Sequence, residues 1–458
     1  MSDAGLVNAQ AKMRADGLPE AAIRVFSDYY RQLESGQTGL ILEDSIEPLL
    51  DPPMLADVDV DDAPAREALD RTVIIKLNGG LGTSMGLDKA KNLLPLRDGL
   101  TFLDVIVRQV LAARERYGVR LPLLLMNSFR TADDTEQALA AYPELARDGL
   151  PLGFVQNREP KLTADGLEPV EWPTDPTLEW CPPGHGDLYI ALQASGVLDQ
   201  LIEAGYRYAN VCNGDNLGTA PNPTIAGWFA ASGAPYAAEV CRRTVNDRKG
   251  GHLAIRKADR QLILRDTAQT APDEMDYFTD EHRHPFFHTN NLWFDLVRLR
   301  DALVERDSVL GLPLIRNEKT VDPADKTSPK VIQIESAMGA AVEVFEGATA
   351  ICVGRDRFLP VKTTNELLLL RSDLYDLDED YRLVATTDST VKVKLDGDYY
   401  KLVQDFDARF AGPVGLRGAN SFEVNGDWGF GHGVTVVGDV TLSADQAGHV
   451  PDGTVLGG

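Results

Sequence analysis

Glycine stands at positions 79, 80, 82 and 86, directly behind the β-branched run that starts at Arg71, and Lys89 and Lys91 follow closely. Glycine tolerates positive φ and carries no Cβ, so successive backbone N–H groups in such a loop can converge on one anion while the lysines add charge. The chemistry this spacing suits is the seating of phosphates. Three familiar patterns compete for it. A Walker A loop needs Gly-Lys-Ser/Thr, but Leu87 follows Gly86, and a dinucleotide fingerprint from Gly80-x-Gly82 needs a small residue where Met85 stands. Gly82-Thr83-Ser84-Met85-Gly86 satisfies the hydrolase pattern G-x-S-x-G. A nucleophile elbow, however, puts its serine at the strand end ahead of a long helix, whereas Ser84 lies well past Leu77 and is followed by Pro95 and Asp98-Gly99. The loop points to phosphate without naming a reaction.

Two other strand ends carry polar groups. The run through Phe154 ends at Gln156, and the run through Val211 ends at Asn213-Gly214-Asp215-Asn216. Ligands of doubly wound sheets sit outside the carboxyl ends of the strands, so phosphate, amide and carboxylate chemistry at three such ends describes one nucleotide site. The loop Pro182-Pro183-Gly184-His185-Gly186-Asp187 opens the next helix and adds backbone N–H groups there.

The elements that must position these residues follow from periodicity. Ile23, Phe26, Tyr30 and Leu33 recur at helical spacing within 18–34, and 57–64 reads as an acidic linker. From Arg71 strands and helices alternate: a helix from Thr101 with Asp104 to about Tyr117, a strand LPLLLM, a helix from Thr131, a strand LGFVQ, a helix from Asp187 to Glu203 and a strand YRYANVC. Such alternation predicts an α/β fold with a parallel sheet covered on both faces. The tail differs. Val424-Asn425-Gly426-Asp427 and Val436-Val437-Gly438-Asp439 stand twelve residues apart, a short beat that predicts β-helix coils, with paired hairpins as the plainer alternative.

Composition narrows the partners. With 45 Lys and Arg against 70 Asp and Glu the net charge is −25, so nucleic acid and anionic lipid are not attracted and any phosphate ligand must sit in a local cationic pocket. No apolar run approaches the ~20 residues needed to cross a bilayer, and the N-terminus lacks the order of a secretory signal. Cys181, Cys212, Cys241 and Cys352 are scattered without metal-site spacing, which predicts reduced thiols and a cytoplasmic protein.

Seven segments together are more specific than any of these motifs: LNGGLGTSMG, MNSFRTADDT, CPPGHGDLY, NGDNLG, DRKGGHLAI, HTNNLWFDL and RFLPVKTTNELLLLRSDLY. From about residue 18 onward the chain resembles the eukaryotic-type UTP–glucose-1-phosphate uridylyltransferases, or UDP-glucose pyrophosphorylases. The resemblance implies a GT-A-like (Rossmann-like) nucleotidyltransferase core with a mixed sheet over 67–375, an N-terminal helical segment over 1–66 and a left-handed β-helix over 376–458. It also implies Mg²⁺ as cofactor and UTP, glucose 1-phosphate, UDP-glucose and pyrophosphate as ligands. On matched positions, the backbone of Leu77, Asn78, Gly79 and Gly80 holds uridine and approaches the phosphates. Lys91, in competition with Lys89, and Lys362 meet the phosphates, and Gln156 reads uracil with the Gly184 backbone. His185 touches the sugar phosphate, and Asp215 anchors the metal. Asn213, Gly214, Asn290, Asn291 and Glu335 surround the sugar.

Leu87, Asn92 and Cys181 depart from the family's usual cysteine, serine and aromatic residue, and none of these changes removes a charged catalytic group. The expected reaction is attack of the glucose 1-phosphate oxygen on the α-phosphorus of UTP. Pyrophosphorylases for UDP-N-acetylhexosamine or for several sugars are the rivals within the class. A silent UDP-sugar-binding regulator is the rival outside it, disfavoured because Gly79, Gly80, Gln156, Lys91 and Asp215 are all present. An uncovered last coil predicts a homo-oligomer through the C-terminal segment.

Overall fold

The apolar runs that alternate with helices become one seven-stranded sheet. A computed structural model describes residues 4–37, 39–244, 247–443 and 447–458. Its sheet strands are β1 (Thr72–Asn78), β2 (Leu123–Asn127), β3 (Gly153–Val155), β4 (Tyr208–Asn213), β5 (Tyr236–Arg242), β6 (Phe286–Asp295) and β7 (Thr349–Cys352), in the order β7-β5-β6-β4-β1-β2-β3. β1, β2, β3 and β4 pair in parallel, as alternation predicts. β6 runs antiparallel to both β4 and β5, so the sheet is mixed. The cause is the connection. Between β5 and β6 the chain makes the hairpin His252–Arg256 with Leu262–Arg265 instead of a long crossover helix, and a strand returning that way comes back antiparallel.

Alternate residues of the same strands feed two apolar clusters, one on each face. Val73, Ile75 and Leu124 join Ile23 and Phe26 of the N-terminal helix on one side. Ile74, Leu123 and Leu125 join Phe102 and Ile106 on the other. The helix Phe102–Tyr117 starts where Thr101 and Asp104 form a reciprocal cap and stops at Gly118 in the left-handed region.

Three expectations change. The acidic stretch 57–64 is not all linker, because Asp62–Asp70 is a helix that buries Ala65, Ala68 and Leu69. The helix expected over 187–203 is two, Leu188–Ala194 and Val197–Glu203, broken at Gly196 with φ +76°. The twelve-residue beat is not the stacking period. β8 (Lys392–Leu395), β9 (Gly415–Asn425), β10 (Thr435–Ser443) and β11 (Val455–Gly457) form a parallel ladder in that order. In it Phe422 faces Val440 and Gly415 faces Thr435, offsets of 18 and 20 residues. Of the two repeats, Val424-Asn425-Gly426-Asp427 closes β9, whereas Val436-Val437-Gly438-Asp439 lies inside β10. Among the described residues, no helix is long and apolar enough to cross a membrane.

Candidate active site

β1 and β4 are neighbours with Leu77 opposite Asn213, so the glycine loop and the Asn213–Asp215 turn leave the sheet side by side. The Gly214 N–H donates to the Leu77 carbonyl at 3.0 Å. The loop closes when the Lys91 N–H donates to the Gly80 carbonyl at 3.0 Å, with Gly82 and Gly86 at positive φ along the way. Asn78 fastens the end of β1, its amide donating to Asn127 Oδ1 and Thr135 Oγ1, each at 2.7 Å.

Two glycines are set by close approach. A Cβ at Gly79 would stand 3.0 Å from Gln156 Nε2, and one at Gly214 would stand 2.0 Å from Asn92 Nδ2. Gln156 leaves β3 with its N–H bonded to the Asn127 carbonyl at 2.8 Å, which brings its amide over the loop. The Gln156 amide and the backbone of the glycine loop thus come together because position 79 has no side chain.

Lys91 Nζ contacts Asp215 Oδ2 at 2.6 Å and the Val361 carbonyl at 2.5 Å, joining the glycine loop, the β4 turn and the segment before Lys362. Val361 N–H returns to the Asp215 carbonyl at 3.3 Å, and Leu359 N–H to Asn216 Oδ1 at 2.8 Å. Lys362 itself is exposed, beside these contacts, as is Lys89. Asp215 Oδ1 accepts no hydrogen bond among the described residues. A single carboxylate with one uncommitted oxygen suits Mg²⁺, which takes few protein ligands and completes its shell with phosphate oxygens and water. No cluster of three metal-ligating side chains exists among the described residues.

The loop Pro182–Asp187 folds against Ser336. Gly184 has φ +77°, and a Cβ there would stand 2.6 Å from the Ser336 carbonyl; Glu335 is the adjacent residue. His185 Nδ1 accepts the Met338 N–H at 2.9 Å, which leaves its proton on Nε2. Burial lowers the pKa of His185, keeping the ring a neutral donor at neutral pH.

One cleft of about 350 Å³ is lined by Leu77, Asn78, Gly79, Gly80, Lys91, Gln156, Gly184, His185, Asn213, Gly214 and Asp215. Asn290 adjoins it, its Nδ2 3.4 Å from Asn213 Oδ1. Asn291, expected to face the sugar, does not join them. It is fully buried, and its amide donates to Glu239 Oε2 and the Arg357 carbonyl. Sequence reasoning missed Met126 in the wall, placed Pro182 there only as part of its loop, and took Asn92 only as a departure, although Asn92 lines the cleft with a buried Nδ2 that has no hydrogen-bond partner among the described residues. It also missed the fully buried pair Glu239–Arg357, bonded at 2.8 Å through both oxygens, which holds the segment leading to Val361. A lone glutamate in the apolar strand YAAEVC was the available signal.

Comparison with known proteins agrees with this geometry. A family model described as UTP–glucose-1-phosphate uridylyltransferase matches residues 23–437. The potato (Solanum tuberosum) protein named UTP–glucose-1-phosphate uridylyltransferase is 38% identical over 410 residues, 88% of this chain and 83% of its own. Leishmania major UDP-glucose pyrophosphorylase, known in open and closed structures, superposes with a TM-score of 0.92 at 41% identity, covering 99% of this chain and 98% of that one. A point mutant of that enzyme in complex with UDP-glucose superposes with a TM-score of 0.91 at 40% identity, again over 99% and 98%. Similarity that spans nearly the whole chain and includes every strand end of the cleft makes this protein a member of the UTP–glucose-1-phosphate uridylyltransferase family.

Proposed function

We propose that the chain transfers the uridylyl group of UTP to glucose 1-phosphate, giving UDP-glucose and pyrophosphate. The carrying observation is the cleft that gathers the glycine loop, Gln156, His185, Lys91 and Asp215. A sugar phosphate with a second pKa near ~6 is largely dianionic at neutral pH, so the nucleophile needs no general base. The obstacle is repulsion between two anions and the charge that builds on the leaving pyrophosphate. Catalysis then rests on alignment and fixed positive charge.

In this reading Leu77, Asn78, Gly79 and Gly80 present backbone to uridine and phosphate, while Gln156 with the Gly184 backbone pairs with the uracil edge. Lys91 and Lys362 flank the phosphates from two different segments. His185 donates Nε2–H to the sugar phosphate without adding charge. Asn213, Gly214, Asn290 and Glu335 border the sugar, and Asn291 acts from behind through Glu239 and Arg357. Asp215 would hold Mg²⁺, which would neutralise phosphate charge when bound.

The same reading takes the core as GT-A-like and the parallel C-terminal ladder as a left-handed β-helix. Four buried, unpaired cysteines suit a reducing cytoplasm. A pyrophosphate-release assay crossing UTP, CTP, ATP and TTP with glucose, galactose and N-acetylglucosamine 1-phosphates tests it. The expected outcome is the highest kcat/KM for UTP with glucose 1-phosphate; a higher value for the acetamido sugar would overturn the substrate assignment.

A further inference from the structure

Strand β6 slips its register beside the cleft. Glu239 of β5 lies opposite Asn291, but Val240 lies opposite His288, so Thr289 and Asn290 are extruded as a bulge. Asn290 takes φ +64°, a left-handed conformation that a residue with a Cβ adopts only when its surroundings hold it. Two side chains clasp the bulge. His288 Nδ1 accepts the Asn290 N–H at 3.1 Å. Thr289 Oγ1 accepts the Asn291 N–H at 3.3 Å and donates to the Glu239 carbonyl at 2.7 Å. The first contact is the imidazole counterpart of an Asx turn, with the acceptor two residues ahead of the donor. So held, Asn290 directs its amide to Asn213 on the cleft wall.

His288 is only 9% exposed, and Nε2 is buried with no hydrogen-bond partner among the described residues. With Nδ1 accepting, that nitrogen carries the proton. The ring fits because position 339 is glycine, where a Cβ would stand 2.8 Å from His288 Cε1. Burial foremost, and the neighbouring His185, lower its pKa to about 4, so Nδ1 keeps its acceptor lone pair at neutral pH.

We propose that His288 is a positioning residue for the sugar-phosphate side of the cleft, holding the bulge that aims Asn290 at the glucose hydroxyls. The proposal rests on Asn290 being a sugar contact, and the test separates the two.

KM for glucose 1-phosphate and for UTP are measured for His288→Leu, His288→Asn, Gly339→Ala and Asn290→Ala, with thermal unfolding as the check on folding. His288→Leu removes the acceptor in a similar volume, and losing one hydrogen bond that orders the turn is expected to raise KM for glucose 1-phosphate about 3- to 10-fold with KM for UTP unchanged. His288→Asn, whose Oδ1 can accept the same N–H, is expected to restore most of the difference. Gly339→Ala, which displaces the ring without touching substrate, is expected to behave like His288→Leu. An unchanged glucose 1-phosphate KM in folded His288→Leu overturns the proposal, as does a rise that His288→Asn does not reverse. If Asn290→Ala is silent while His288→Leu is not, His288 does not act through Asn290 and the proposal also falls. If only Asn290→Ala raises that KM, the sugar contact stands and the positioning role does not.

Discussion

Lys91 sits where three segments meet, and its two contacts explain why it, rather than Lys89, is the lysine to test. Its ammonium already pairs with Asp215 and the Val361 carbonyl inside the cleft, while Lys89 projects to solvent. Lys91→Ala is expected to lower kcat by about 10²–10³, as loss of a preorganised donor to developing charge does, with UTP affinity much less affected. Steady-state kinetics beside UTP titration calorimetry would show it, and an equal loss in Lys89→Ala would move the role to that residue.

Asp187 supplies a pH signature. Burial pushes its carboxyl up to about 7 against the hydrogen bonds from Asn157, whose N–H and amide donate to it at 2.6 and 2.8 Å. The folded chain therefore keeps a proton that the unfolded chain releases near pH ~4. That contribution is complete below pH ~4 and is lost as pH rises to about 7, with a slope of at most ~1.4 kcal/mol per pH unit. Unfolding of the wild type minus that of Asp187→Asn, measured from about pH 5 to about pH 8, should show this decline. Parallel curves would mean that Asp187 does not titrate in this window.

Among the elements, the short loops carry more of the site than the helices do. The Pro182–Asp187 loop is held between Ser336 and Met338, and Gly184 fits there because it has positive φ and no Cβ. Gly184→Ala combines a left-handed alanine, costing about 1–2 kcal/mol, with a clash against the Ser336 backbone that must move the loop. Expected are a fall in denaturant midpoint and a larger fall in kcat/KM, because His185 shifts with the loop. A variant as active as wild type would show that His185 does not need this loop geometry.

At the scale of the molecule, the C-terminal ladder is not an appendage. Phe422, Phe430, Val434 and Val436 belong to the same buried cluster as Ile74 of β1 and the helix that follows the glycine loop, and a Cβ at Gly86 would stand 3.1 Å from Leu402 Cδ2. Deleting residues from about Val424 strips that cover, and each buried valine removed forfeits about 1.5–3 kcal/mol. The truncated chain is expected to melt lower than the full chain and to lose UTP binding with it. Calorimetry with light scattering on both forms decides this, and an intact UTP site in a monomeric truncation would contradict it.

The features legible in the bare chain are local ones. Glycines behind a β-branched strand, the Thr101–Asp104 cap and polar strand ends are written within a few residues of one another, so the glycine loop, its following helix and the strand-end residues of the cleft can be read before any fold is known. So can the resemblance, because it rests on ordered segments. Contacts between distant segments cannot. The antiparallel course of β6, the bulge that turns Asn290 toward the cleft and Asn291 away from it, the burial of Glu239 with Arg357, and the 18- to 20-residue offset of the C-terminal ladder each depend on which strand lies beside which. Side-chain alternation within a strand tells the two faces apart but carries no label for the neighbour, and a one-residue change of register exchanges those faces. Packing of the whole chain selects that neighbour, and with it which asparagine borders the cleft and which is buried behind its wall.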